Sequence, residues 1–149
     1  MASLIRFILN VLWFVCGGFV SGLLWLLGAL LLALTIVGLP WAASAFRIAG
    51  FAFWPFGKEI VPRELATGHE DLGTGPLGFV MNIIWFLLGG WYIALSHVLI
   101  AVPEFVSIIG IPFGFKDLQL AQLALAPVGV TIRKVTPPAP TPTSLPPTS

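Results

Sequence analysis

The sequence predicts an all-α integral membrane protein made of two tandem homologous units, on the evidence of its composition, its charge pattern and an internal repeat. Its 149 residues are 58% hydrophobic and only 9% charged, whereas soluble domains carry about 25% charged residues. Asp, Glu, Lys and Arg are absent from Phe7 to Phe46 and from Leu72 to Pro103. Each run exceeds the roughly 20 apolar residues with which a helix crosses a bilayer. A chain of this length cannot bury two such helices in a soluble core.

The internal repeat relates the two halves of the chain at an offset of 72 positions. Asn, Trp, Pro and paired Gly are not the residues that recur by chance in low-complexity apolar sequence, so their recurrence at one offset indicates a duplication. The chain therefore divides into a first unit (4–61), a polar linker (62–77), a second unit (78–134) and a disordered Pro/Thr-rich tail (135–149). The matched residues include Asn10 with Asn82, Trp13 with Trp85, Gly17-Gly18 with Gly89-Gly90, Pro40 with Pro112 and Pro55 with Pro127.

Each unit is predicted to contain a long transmembrane helix (about 4–36 and 78–108), a break and a shorter helix. The break falls at the Gly-x-Pro sequences ending in Pro40 and Pro112, because proline lacks an N–H and disfavours helix in the residue before it. The shorter helix is bounded by a second proline in a Pro-x-Gly sequence. The β-like stretches that follow, 58–61 and 130–133, are candidates for a small two-stranded ribbon outside the hydrocarbon.

The sequence leaves open whether each unit crosses the membrane once or twice. One crossing per unit makes the repeats inverted, and two crossings make them parallel. The second short segment contains Lys116 and Asp117 and therefore resembles an interfacial or re-entrant helix. Both arrangements put the two termini in the cytoplasm by the positive-inside rule, given Arg6, Arg133 and Lys134.

Eight repeated residues are candidates for helix packing or for a repeat axis. Small residues let membrane helices approach closely, and amides hydrogen-bond across them. For the two asparagines we favour adhesion between helices over a ligand-contacting pair on a pseudo-twofold axis. The candidates are Asn10, Trp13, Gly17, Gly18, Asn82, Trp85, Gly89 and Gly90.

His97 and Glu104 are an ionisable pair deep in the second long segment. Seven positions apart, they share a helix face at about 10 Å along the axis. An ionisable group in a membrane segment is costly and is a functional hypothesis by default. Their counterparts in the first unit are Trp25 and Leu32, so the pair was not duplicated. A neutral packed histidine with a glutamate at headgroup level is favoured over a proton or cation path.

The sequence displays no enzyme constellation, no Cys/His metal cluster and no cofactor motif. The net charge of +1 gives no indication of nucleic-acid binding. We therefore expect no catalytic residues, no metal and no cofactor.

The second unit contains a series of spaced motifs: Asn82-x-x-Trp85, Gly89-Gly90-Trp91, His97, the stretch from Ser107 to Gly114, and Pro127-x-Gly129. In these motifs the chain resembles the YccF-like family of bacterial inner-membrane proteins, which carry a tandem inner membrane component domain. The resemblance implies a plasma-membrane location and brings no established activity and no catalytic residues.

The favoured function is a non-enzymatic, multi-pass membrane component or scaffold that acts in the lipid bilayer. It would assemble as a homo-oligomer or with a membrane-protein partner. The alternative is a small oligomeric channel or transporter that uses His97 and Glu104. A membrane enzyme acting on lipids is the least favoured hypothesis.

Overall fold

The computed structural model describes residues 1–69 and 73–135, so the predicted tail from 136 onward lies outside the described residues. The chain is mostly helical, and its two halves contain the same elements in the same order. In the first unit these are α1 (Ala2–Trp13), a π-helical turn (Phe14–Gly18), α2 (Phe19–Ala33), α3 (Leu39–Phe53) and β1 (Lys58–Pro62), followed by α4 (Arg63–Thr67) in the linker. In the second unit they are α5 (Pro76–Trp85), a π-helical turn (Phe86–Gly90), α6 (Trp91–Glu104), α7 (Ile111–Leu125) and β2 (Val130–Lys134).

Both long helices are kinked at their paired glycines, a feature that the hydropathy pattern did not predict. The backbone leaves the helical region at Gly17 (φ 163°, ψ −21°) and at Gly89 (φ 161°, ψ −2°). A π turn inserts an extra residue into the helical ladder and is a known cause of kinks. The second glycine of each pair leaves room for an indole ring, since a Cβ on Gly18 would overlap the ring of Trp13.

The break between long and short helices comes earlier than the Gly-x-Pro sequences suggested. The first long helix ends at Ala33, and the turn that follows is closed by the N–H of Gly38, which donates to Thr35 Oγ1 at 3.0 Å. Pro40 lies in the first turn of α3, where a missing N–H costs nothing. The second unit repeats this geometry with Ser107 and Gly110. Each proline therefore begins a helix, and the Thr/Ser–Gly turn before it ends the previous one.

Each unit folds into a hairpin, because α3 packs back along α2 and α7 packs back along α6. The buried faces of the short helices are related by the repeat, with small residues that allow close helix approach. Only one buried α3 residue, Ser44, has a counterpart that is merely half-buried, Lys116. The α3 face is Trp41, Ala42, Ser44, Ala45, Ile48, Ala49, Phe51 and Ala52, and the α7 face is Phe113, Gly114, Asp117, Leu120, Ala121, Leu123 and Ala124.

The predicted two-stranded ribbon is present and ties the two units together. β1 and β2 pair antiparallel, with Ile60 opposite Ile132 and Lys58 opposite Lys134. Since Ile60 and Ile132 are equivalent in the repeat, the register is symmetric about them. A pseudo-twofold axis therefore passes through the centre of the ribbon.

The two hairpins lie side by side and point in the same direction. A second pair of repeat equivalents, Trp25 and His97, meets between the hairpins, so the pseudo-twofold axis runs from the ribbon along both hairpins. Both ends of the described chain lie at the ribbon. The Arg6 side chain is next to Gly57, and the N–H of Val135 donates to Gly57 O at 2.9 Å. The repeats are therefore parallel in the fold, which was one of the two arrangements left open by the sequence.

The outer surface of the hairpins is apolar. Two helices among the described residues, Ala2–Ala33 and Pro76–Glu104, are long and apolar enough to cross a membrane, and only 22% of each apolar window is buried inside the protein. The hairpin tips are also apolar and exposed, with Ile36 at 89% and Ile108 at 87%. Such a surface is suited to contact with lipid or with another protein.

Candidate functional site

A cavity of about 500 Å³ lies between the two hairpins, on the path of the pseudo-twofold axis. Its first-unit wall is apolar and aromatic, whereas its second-unit wall carries ionisable side chains. The first wall includes Trp13, Leu24, Trp25, Leu32 and Ala45, and the second includes Tyr92, Ser96, His97, Glu104 and Asp117.

His97 is the centre of the polar wall and is held from both sides. Its Nδ1 is 2.6 Å from Asp117 Oδ1, and the indole Nε1 of Trp25 lies 3.4 Å from its Nε2. An indole N–H can only donate, so Nε2 accepts from Trp25, and the imidazole proton lies on Nδ1, from which it is donated to Asp117. His97 and Asp117 are only 6% and 4% exposed. Both ring nitrogens of an uncharged imidazole therefore have a hydrogen-bond partner, with Trp25 as the donor and Asp117 as the acceptor.

Glu104 completes the polar wall one helical turn before the second hairpin tip. Its carboxyl group interacts with that of Asp117, so Asp117 links the two residues that the sequence singled out. Glu104 Oε2 is buried and has no hydrogen-bond partner, and the same is true of Ser21 Oγ on the opposite wall. Buried polar atoms are normally hydrogen-bonded, so each of these two atoms is free to pair with a polar group that enters the cavity.

Asp117 is the ionisable residue of this site that the sequence analysis missed, because a charged pair such as Lys116-Asp117 in a short helix is typical of an interfacial helix. The repeat itself contained the signal. Asp117 replaces Ala45 at the 72-residue offset, just as His97 replaces Trp25 and Glu104 replaces Leu32. All six residues line this cavity. An alignment of the two units identifies this cluster as positions at which an apolar residue of the first unit is replaced by an ionisable residue in the second.

Asn10 and Asn82 do not face each other. The Asn10 side chain donates from Nδ2 to Phe56 O at 2.9 Å and accepts from the Phe56 N–H at 2.9 Å. Asn82 makes the same two bonds with Val128, each at 3.0 Å. Each asparagine therefore clamps the central residue of the Pro-x-Gly sequence that leads into a strand of the ribbon.

The repeated tryptophans and glycines also act within their own unit. Trp13 Nε1 donates to Ala52 O at 2.6 Å, and Trp85 Nε1 donates to Ala124 O at 2.7 Å. These bonds staple the long helix of each unit to its short helix. A Cβ on Gly22 would overlap Phe53, so this glycine also allows a close contact inside the first unit.

Within residues 1–69 and 73–135 no group of three or more His, Cys, Asp or Glu side chains is placed to hold a metal ion. At the ribbon, burial and the nearby charge of Lys134 lower the pKa of Lys58 below its ordinary value. The Lys58 ammonium group also donates to Gly50 O at 2.6 Å. The basic ribbon end thus contrasts with the acidic cavity between the hairpins.

Two parallel hairpins with a lipid-compatible outer surface and a polarised internal cavity define a small helical membrane protein with internal pseudo-twofold symmetry. The chain belongs to the YccF family, whose inner membrane component domain matches residues 8–58 and 80–130. The resemblance and the duplication predicted from the sequence are thereby confirmed. Similar relatives are inner membrane protein YccF of Escherichia coli (strain K12) and that of Shigella flexneri, each 37% identical over 125 residues, or 83% of this chain and 84% of the relative. No solved structure matches the chain.

Proposed function

We propose that the protein is a non-enzymatic component of the bacterial inner membrane, whose two hairpins insert into the bilayer from the cytoplasmic face and which acts as an oligomer. The main observation in support is that both hairpins extend from the ribbon in the same direction and end in exposed apolar tips. The relatives are named inner membrane proteins, which supports the location.

The dimensions favour re-entrant hairpins over full crossings. Beyond the kink at Gly17, the first hairpin consists of α2 and α3, which have 15 residues each. This is about 22 Å at 1.5 Å per residue, while the hydrocarbon core is about 30 Å thick. Charged residues lie midway along both short helices, and Lys116 Nζ lies 5.4 and 5.5 Å from the rings of Phe51 and Phe56. This ammonium group thus reaches back toward the ribbon end, as a snorkelling lysine does. Tips inside the bilayer and a ribbon at the surface satisfy both observations.

The positive-inside rule favours a cytoplasmic ribbon. Four of the seven Lys and Arg residues of the chain lie in β1, β2 or the first residue of α4: Lys58, Arg63, Arg133 and Lys134. Because both ends of the described chain lie next to the ribbon, we expect both termini to be cytoplasmic.

Cysteine accessibility tests this topology. In a Cys16→Ala background, single cysteines replace Ile36 and Ile108 at the tips and Leu65 in the exposed linker helix, and intact cells are treated with a membrane-impermeant thiol reagent. We expect no labelling in intact cells, and labelling of the Leu65 position alone once the cells are opened. Labelling of a tip from outside would mean that the hairpin crosses the membrane completely, and labelling of the Leu65 position from outside would reverse the orientation.

Oligomerisation is proposed because so much of each long helix is left uncovered by the chain itself. Two hairpins are also too few to enclose a pathway alone. Native mass spectrometry of the protein released from lipid nanodiscs should give multiples of the chain mass. Release of the monomer alone across a range of protein-to-lipid ratios would overturn this part of the proposal.

A second candidate function is a small channel or transporter, and the observation that favours it is the polar cavity between the hairpins. Its test is a flux assay in liposomes that contain the purified protein, with His97→Ala and Glu104→Gln as variants and Glu59→Gln at the exposed ribbon as the matched control. Flux that both cavity variants abolish and the control retains supports the candidate. Absence of flux under several ion and proton gradients eliminates it.

A further inference from the structure

We propose that the cavity between the hairpins binds an amphiphilic organic cation, with its ammonium group at Glu104 and Asp117 and its apolar body against the first-unit wall. This inference goes beyond the membrane component described above. It depends on the cavity alone and not on the topology, on oligomerisation or on transport.

The charges of the cavity wall favour a cation. Among the described residues the lining includes Glu104 and Asp117 but no Lys or Arg. The nearest basic side chain on α7, Lys116, is turned to Gln119, with its Nζ 2.8 Å from Gln119 Oε1. Asp117 already accepts from His97, whereas Glu104 Oε2 is buried without a partner. A buried carboxyl oxygen is stabilised by a hydrogen-bonded cation, and the described residues that line the cavity supply none.

The opposite wall favours an apolar and aromatic body on that cation. Trp25 and Leu32 face the site from the first unit, together with Leu24 and Gly28. The face of an aromatic ring attracts ammonium groups, and it also packs against apolar groups. The cavity volume of about 500 Å³ lies in the range of small-molecule pockets, roughly 300–1,000 Å³.

The broken symmetry of the repeat supports the same conclusion. At three equivalent positions the first unit has Trp25, Leu32 and Ala45, and the second has ionisable residues. A cavity that only packed two hairpins together could be lined alike on both sides. Walls of opposite character on either side of the axis instead give a bound molecule one orientation, charged end toward the second unit.

The test measures binding of benzylammonium, whose N–H groups can donate to Glu104, to the full chain in nanodiscs of zwitterionic phosphatidylcholine. Equilibrium dialysis with the radiolabelled cation gives the dissociation constant, and empty nanodiscs correct for partition into lipid. Ethylbenzene is the matched neutral probe, because it replaces the charged nitrogen with carbon and keeps the shape. We expect saturable binding of the cation and at least tenfold weaker binding of the neutral probe. Equal binding of the two probes would mean an unselective apolar pocket and would overturn the proposal.

Variants separate the site from the rest of the protein. Glu104→Gln should weaken cation binding about tenfold or more, while Glu59→Gln, an acid at the exposed ribbon, should leave it unchanged. Gly28→Phe fills the cavity from a helical position where a Cβ would meet no atom within 4 Å, and it should abolish binding without changing any charge. Circular dichroism and elution volume verify folding. Unchanged affinity in the Glu104 and Gly28 variants, or no saturable binding to the wild type, would refute the proposal.

Discussion

The clamp that Asn10 makes on the Pro-x-Gly sequence should be one of the strongest single contributions to stability in the first unit. Asn10 is 1% exposed, and its side chain pairs both the N–H and the C=O of Phe56 at 2.9 Å. Asn10→Ala leaves those two backbone groups without partners. Each orphaned group costs about 1–3 kcal/mol when water cannot reach it. Because Phe56 is only half-buried, we expect a total loss of about 2–4 kcal/mol in the free energy of unfolding.

The measurement is reversible unfolding of the purified protein in mixed micelles by increasing the mole fraction of dodecyl sulfate, followed by tryptophan fluorescence. Asn82→Ala removes the equivalent bonds at a position that is more exposed, so its loss should be smaller. Asn10→Leu fills the volume without restoring either bond and should be as damaging as Asn10→Ala. If Asn10→Leu recovers wild-type stability, or if Asn10→Ala costs less than about 0.5 kcal/mol, the two hydrogen bonds do not stabilise the unit as inferred.

Three further predictions concern the kink, the cavity and the ribbon. Gly18→Ala should destabilise the protein by about 1–3 kcal/mol, because the new methyl group overlaps the indole ring of Trp13. The control Gly28→Ala has open space around the new methyl group and should be neutral or slightly stabilising in the same unfolding assay. Asp117→Ala should cost about 1–3 kcal/mol, since it leaves the buried imidazole proton without an acceptor; an unchanged unfolding curve would contradict that role. The pKa of Lys58 is lowered by burial and then by Lys134, so the Lys58 ammonium group loses its proton at lower pH in the folded than in the unfolded state. Stability should therefore rise with pH between that lowered pKa and the ordinary value of 10.5. Lys58→Met should remove this rise, while Lys134→Ala should reduce it only in part because burial is the larger cause.

The duplication was predictable because it is recorded in residue identity alone. Asn10, Trp13 and the paired glycines recur as Asn82, Trp85 and Gly89-Gly90, and the family domain matches each half once. The ribbon was also predictable, since the β-like stretches follow the same Pro-x-Gly sequence in both units. Local patterns of this kind need no knowledge of which elements meet.

The kinks and the helix ends could not be predicted from hydropathy. The paired glycines at 17–18 and 89–90 lie inside uninterrupted apolar runs, and a hydropathy average does not register a π turn. The end of the first long helix at Ala33 depends on a hydrogen bond between Thr35 and Gly38. A hydrogen bond between particular atoms has no counterpart in an average over apolar residues.

Composition, charge spacing and the repeat by themselves determined that this chain is a duplicated, helical, membrane-type protein, because these properties depend on residue type and order. Only the tertiary structure decided that the two units are parallel hairpins, since that follows from contacts of Ile60 with Ile132 and of Trp25 with His97. It also decided that Asp117 belongs with His97 and Glu104. Those three side chains come from two helices that are adjacent only because α7 folds back along α6.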